Sequence, residues 1–213
     1  MTNVLQFTLE DYRVKYLSES DYQLSKLIQV IGDISLRINQ NYYESLIKKI
    51  IGQQLSVKAA RTICERVEAI CGSFDPTLIK SISDIELRKA GVSRAKILYI
   101  RDVADKVLTG EIDLKGLDSL SDEEVISTLT KIKGIGKWTA EMFLIFSLGR
   151  LNVLSLGDVS IQRAFRWLNY GKEDKLESYF KKWNPYNTIA SLYMWEAVNR
   201  GFLEKYETID DIQ

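Results

Sequence analysis

Histidine is absent from this 213-residue chain, which removes the commonest general base, the Ser-His and Cys-His nucleophile systems, and most zinc sites. Acid–base work must fall to carboxylates, lysine or tyrosine. Cysteine is scarce: Cys64 and Cys71 are too few and too widely spaced for a CxxC knuckle or an iron–sulfur cluster, so both are expected as buried, reduced thiols. Only two prolines occur and apolar residues make up 46%, a composition that leaves little room for linkers and argues against disorder. No run of about 18 uninterrupted apolar residues is present, and the opening MTNVLQFTLEDY has no apolar signal core. Neither membrane spanning nor export is indicated, and a cytoplasmic location is expected. Net charge is lacking too. With 29 basic against 29 acidic residues, the totals lack the basic footprint of a nucleic-acid binder, so any polyanion would have to be met by positive charge that folding segregates.

What is present is a repeating helical pattern without repeating strand signals. Ser83 to Glu86 and Ser121 to Glu124 read as capping boxes, Asn41 precedes Glu44 as a cap with an acidic first turn, and Gly72, Gly91, Gly110 and Gly201 fall where helices should stop. Apolar faces support these helices: Leu46, Ile47, Ile50 and Ile51; Ile97, Ile100, Ala104 and Val107; Val125, Ile126, Leu129 and Ile132. About nine or ten helices are expected, in a compact all-α fold whose longest irregular piece before the C-terminal helices is 149–157.

One stretch is unusual for a simple corner. KIKGIGKWTAEMF, 131–143, sets Gly134 and Gly136 one residue apart between Lys133 and Lys137, with an apolar helix resuming at once. It reads as helix, four-residue hairpin, helix. Glycines at alternate positions allow backbone conformations closed to other residues and leave the N–H groups of the second helix unobstructed, which with the helix dipole makes an anion site. A plain helix–helix connection with solvated lysines is the competing reading. The spacing, the lysines and the immediate helix restart favour phosphate binding.

The segment LTKIKGIGKWTAEMFLIFSLGRLNVLSLGDVSIQRAF, 129–165, resembles the helix-hairpin-helix DNA glycosylases, specifically their 3-methyladenine DNA glycosylase II branch. IIGQQLSVKAA at 50–60 resembles the segment that carries the residue pushed into DNA, and GVSRAKILYI at 91–100 matches the lobe that follows. The likeness runs from about residue 44 to 200 and implies a minimal form, without the β-rich extra domain of longer members. In that form one domain has two lobes, one of about 1–52 plus 140–213, the other of about 53–139 including the hairpin, with the hairpin motif at about 122–148. It implies a monofunctional enzyme that flips out alkylated purines such as 3-methyladenine or 7-methylguanine from double-stranded DNA and excises them. It further implies a monomer that is nucleoid-associated when acting, with no membrane partner and no required cofactor.

Carried over residue by residue, the resemblance makes Asp158 the catalytic carboxylate. Its sequence position, before the apolar-periodic Val159, Ile161, Phe165 and Leu168, is also that of an ordinary N-cap. The two roles are compatible, since a cap and helix dipole keep a carboxylate ionised. Trp138 stands where relatives that also cut the backbone carry a Schiff-base lysine, so no amine is available there. Trp138 and Trp195 match aromatic positions of the base pocket, against the alternative of plain core tryptophans, and Met142, Val159 and Glu196 stand where relatives have aromatics. Either Gln54 or Leu55 would fill the gap left by an extracted nucleotide. Lys133, Gly134, Gly136 and Lys137 would hold a phosphate. The backbone carbonyls of Thr130, Ile132 and Ile135 match positions that hold a structural sodium or potassium ion. Two alternatives stand beside this reading: a glycosylase of the same fold for another damaged base, and a non-catalytic helix-hairpin-helix DNA-binding protein in which Asp158 only caps.

Overall fold

The computed structural model describes residues 2–212. Among them are thirteen α-helices and a single two-stranded sheet. In chain order these are β1 (Thr2–Phe7), α1 (Tyr12–Ser20), α2 (Tyr22–Ile31), β2 (Ile34–Asn39), α3 (Tyr42–Gly52), α4 (Val57–Cys71), α5 (Pro76–Ser81), α6 (Asp84–Ala90) and α7 (Arg94–Leu108). There follow α8 (Asp122–Leu129), α9 (Lys137–Phe146), α10 (Val159–Leu168), α11 (Leu176–Trp183), α12 (Asn187–Asn199) and α13 (Phe202–Lys205). The all-α expectation is met, with β1 and β2 added. The strand pair is a feature that the helical reading passed over, although Ile34, Leu36 and Ile38 alternate with Ser35 and Arg37 and the structure buries Leu36 and Ile38.

Helix ends lie where their side chains can satisfy the first-turn N–H groups. Ser83 and Ser121 form complete capping boxes with Glu86 and Glu124, and the Asn41 side chain accepts from the Glu44 N–H. Gly72 and Gly91 end α4 and α6. The apolar faces that the sequence defines are turned inward: Leu46, Ile47, Ile50 and Ile51 of α3, and Ile97, Ile100 and Ala104 of α7, are all buried. Cys64 and Cys71 are buried free thiols, and burial pushes the pKa of each up. No helix among the described residues is long and apolar enough to cross a membrane.

The chain divides into two compact units. One runs Asn39–Leu148 and holds α3 to α9; the other combines Thr2–Ile38 with the chain from Gly149 onward. These limits fall outside the expected 52 and 140 because α3 packs on α4, α7 and α9, and α9 on α8, all within the first unit. In the second unit α12 lies against α2, α10 and α11. The core there surrounds Trp183, which is fully buried and edge-on to Tyr179 and Phe165 at 5.1 and 6.2 Å.

The Trp183 indole N–H donates to Asp21 Oδ2 at 2.9 Å, while Asp21 Oδ1 caps α2 by accepting from the N–H groups of Gln23 and Leu24. A buried indole N–H without an acceptor, together with loss of a cap, should cost about 2 to 4 kcal/mol. Asp21→Ala is therefore expected to lower the unfolding midpoint sharply in urea, and Asp21→Asn, whose one amide oxygen can serve the cap or the indole but not both, by less. Equal loss in the two variants would contradict a stabilising role for the Asp21 oxygens.

Candidate functional site

The hairpin is longer than the expected four residues: α8 ends at Leu129 and α9 begins at Lys137. Its two glycines do different work. Gly134 has φ +81°, and a Cβ there would lie 2.2 Å from the Tyr99 ring, so only glycine allows this backbone to lie against α7. Gly136 is extended, with φ −93° and ψ 175°, and is the N-cap of α9. A Cβ there would meet nothing within 4 Å. As the N-cap it puts no side chain of its own over the first turn of α9, which suits the approach of an anion to that positive helix end.

Positive charge flanks this approach. Lys133 and Lys137 have side chains 74% and 72% exposed, and their Nζ atoms lie 3.8 Å from carboxylate oxygens of Asp102 and Glu141. The lysines are exposed while both carboxylates are largely buried, and at 3.8 Å each pair is a long one. The Lys133 backbone N–H donates to Asp102 Oδ2 at 2.9 Å, which ties the turn to α7. In the same turn Ile135 N donates to Ile132 O at 3.1 Å, and each carbonyl oxygen has two lone pairs. Oxygen donors of this kind suit a hard monovalent ion. Among the described residues no cluster of His, Cys, Asp or Glu could hold a metal.

The second segment, after α3, is also tied to the hairpin. Gln53 Nε2 donates to Gly134 O at 2.8 Å. Gln54 has φ +56° and is the described non-glycine residue with positive φ, a backbone region that costs roughly 1 to 3 kcal/mol. Leu55, 39% exposed, follows it. Ser56 then caps α4 by accepting from Ala59 N at 3.3 Å. Gln54 and Leu55 are thus both presented to solvent on a strained turn. On α9 of the same unit Met142 is buried and Trp138 is 46% exposed.

In the second unit Asp158 is 6% exposed and caps α10: its Oδ1 accepts from Ile161 N at 2.9 Å. The loop that delivers it is pinned by the first turn of α12. Thr188 donates through Oγ1 to Arg150 O at 2.8 Å and accepts there from Val153 N at 3.0 Å, and its own N–H donates to Leu151 O at 3.0 Å. Asn187 Nδ2 donates to Asn152 Oδ1 at 2.7 Å. Trp195 is half-buried further along α12, beside Glu196, whose carboxylate is engaged by Arg200 at 2.8 Å. Val159, at the start of α10, is exposed.

The first unit therefore holds Thr130, Ile132, Lys133, Gly134, Ile135, Gly136, Lys137, Trp138, Met142, Gln54 and Leu55, and the second holds Asp158 and Trp195. Asn187 and Thr188, which fix the Asp158 loop, and Gln53 were not legible as site residues. Their polar character on otherwise apolar helices was the available signal.

The profile of the HhH-GPD superfamily base excision DNA repair protein family matches residues 47–185. DNA-3-methyladenine glycosylase 1 of Schizosaccharomyces pombe is 34% identical over 195 residues, covering 85% of each chain. The crystal structure of a DNA-3-methyladenine glycosidase from Bacillus halodurans superposes with TM-score 0.87 at 42% identity, over 98% of both chains. A 3-methyladenine DNA glycosylase of S. pombe, in complex with abasic DNA, superposes with TM-score 0.77 at 33% identity, over 89% of this chain and 97% of that one.

The hairpin geometry makes a contrast between its glycines. Gly134→Ala places a methyl inside the Tyr99 ring on a left-handed backbone and should cost about 2 kcal/mol or more; Gly136→Ala meets no neighbour, only replaces a favoured N-cap by a less favoured one, and should cost about 1 kcal/mol or less. Thermal unfolding of the two variants checks this, and equal midpoints would contradict the assigned contact.

Proposed function

Because the chain belongs to the HhH-GPD superfamily of base excision DNA repair proteins, we propose that it is a monofunctional DNA glycosylase that removes alkylated purines from double-stranded DNA. The observation that carries this reading is Asp158, a buried carboxylate fixed at the N-terminus of α10 by the Ile161 N–H, in a chain that has no histidine. The similar proteins named for 3-methyladenine support the alkylated-base assignment.

In this mechanism the open N-terminus of α9, with Lys133 and Lys137, takes a backbone phosphate and sets the register on the duplex without reading sequence. Gln54 or Leu55 enters the stack as the damaged nucleotide leaves it, holding the gap open. Trp138 and Trp195 supply π faces for the base, with Met142 contributing apolar contact. A cationic purine gains about 0.5 to 2 kcal/mol from such faces. Asp158 then stabilises the oxocarbenium-like sugar, or activates the water that attacks it, as the glycosidic bond breaks. N3- and N7-alkylated purines carry positive charge and depart without a proton from the enzyme, which suits a site without histidine. Trp138 in place of a lysine leaves no amine to attack the sugar, so the product is an abasic site in an unbroken strand. The carbonyls of Thr130, Ile132 and Ile135 would hold a sodium or potassium ion that stiffens the hairpin without entering the chemistry.

Asp158→Asn is expected to reduce single-turnover release of 7-methylguanine by at least about a thousandfold while changing duplex affinity less than about threefold, because the carboxylate acts on the transition state. Parallel loss of affinity and rate would assign Asp158 a capping role only. Borohydride added during turnover should trap no protein–DNA adduct; a trapped species would overturn the monofunctional mechanism. In matched duplexes, hypoxanthine and uracil should leave much more slowly than 7-methylguanine, and comparable rates would require an unrecognised general acid.

A further inference from the structure

One edge of α7 touches both of the elements that the excision reading sends to DNA. Lys96, Tyr99 and Asp102 follow at three-residue spacing, so they form one ridge about 9 Å long. At its start the Lys96 ammonium donates to Ile51 O and Gln53 O, both at 2.7 Å. In the middle, Tyr99 fills the space beside Gly134. At its far end Asp102 accepts from the Lys133 N–H. Gln53 closes the circuit by donating to Gly134 O at 2.8 Å.

A lysine at the C-terminal end of a neighbouring helix commonly satisfies the last carbonyls of that helix. Lys96 reaches one peptide beyond α3. The Gln53 carbonyl belongs to the peptide plane that ends at the nitrogen of Gln54, so fixing that oxygen restrains the rotation that sets φ of Gln54. Gln54 is where the backbone is left-handed, at φ +56°. Without the clamp the strain would relax toward ordinary φ, and Leu55 would point elsewhere. Burial lowers the Lys96 pKa, which is the cost of bringing an ammonium to this partly buried position.

We propose that Lys96 and Gln53 are positioning residues that hold the Gln54–Leu55 turn in its strained form, at a fixed distance from the phosphate-binding hairpin. α7 then acts as the gauge between the point where the duplex is anchored and the point where its stack is entered. The inference rests on the DNA reading of the hairpin and the turn. It requires no role in bond breaking, so it can be tested without chemistry.

The test compares affinity for an intact duplex with affinity for the same duplex carrying a tetrahydrofuran abasic analogue. The unmodified protein should prefer the gapped duplex; absence of any preference would overturn the proposal. Lys96→Met, which keeps the stem and loses the donors, should reduce that preference about tenfold or more while intact-duplex affinity stays within about twofold. Lys96→Arg should recover most of it. Gln53→Leu should reduce it about threefold or more, and decides the matter if Lys96→Met does not fold. Unchanged preference in Gln53→Leu and a folded Lys96→Met, or intact and gapped affinities falling together, would overturn the gauge and leave Lys96 a simple helix cap. Base release by the unmodified protein is scored separately. Release with an unchanged preference in the variants sinks only the gauge, and a lost preference in the variants of a protein that releases no base sinks only the excision reading.

Discussion

The ring of Tyr99 lies where a side chain on residue 134 would begin, 2.2 Å from the site of a Cβ. The hairpin can reach α7 only with a left-handed glycine at that position, at φ +81°. From this close approach follow the Asp102 bond to the Lys133 N–H and the Gln53 bond to the Gly134 carbonyl. Those bonds orient the turn so that α9 starts from a glycine N-cap with exposed lysines beside it. Under the proposed function this is where backbone N–H groups would meet a phosphate, in a chain whose total charge is zero.

A comparable economy governs the second unit. Asp158 needs a fixed position, and it lies in a loop without regular structure between α9 and α10. Burying such a loop would leave polar backbone groups unsatisfied. Thr188, fully buried at the start of α12, supplies the missing backbone partners, and its buried neighbour Asn187 holds the Asn152 side chain. The cap bond to Ile161 then fixes the carboxylate itself. One residue serves as helix cap and as candidate catalyst, because both uses need a side-chain oxygen held in a fixed direction at a helix N-terminus.

Much of the fold was legible because its signals are local. Capping boxes at Ser83 and Ser121, the cap at Asn41, the glycine stops and the apolar faces each concern a few neighbouring residues. The six-residue strands were missed because the alternation Ile34–Leu36–Ile38 is short and lies between strong helical patterns. Unit limits were displaced because packing of α3 on α7 and α9 is a long-range property that periodicity does not carry. In the site, the glycines and lysines of 133–137 and the capping position of Asp158 could be read directly. Lys96, Tyr99 and Asp102 could not. Each looks like an ordinary helix residue until the chain is folded, and their meaning lies in contacts with residues 31 to 45 positions away.

The absence of histidine, the restrained Asp158 and the tryptophan in place of a lysine all favour a leaving group that is already cationic and a strand that stays whole. Incubation with methylated genomic DNA, followed by chromatography of the released bases and denaturing electrophoresis of the DNA, tests this most directly. Free 3-methyladenine and 7-methylguanine, with no strand breaks beyond those formed on alkaline treatment of abasic sites, is the predicted result. No released base, in the presence of normal duplex binding, would contradict the account and leave a DNA-binding protein in which Asp158 only caps a helix.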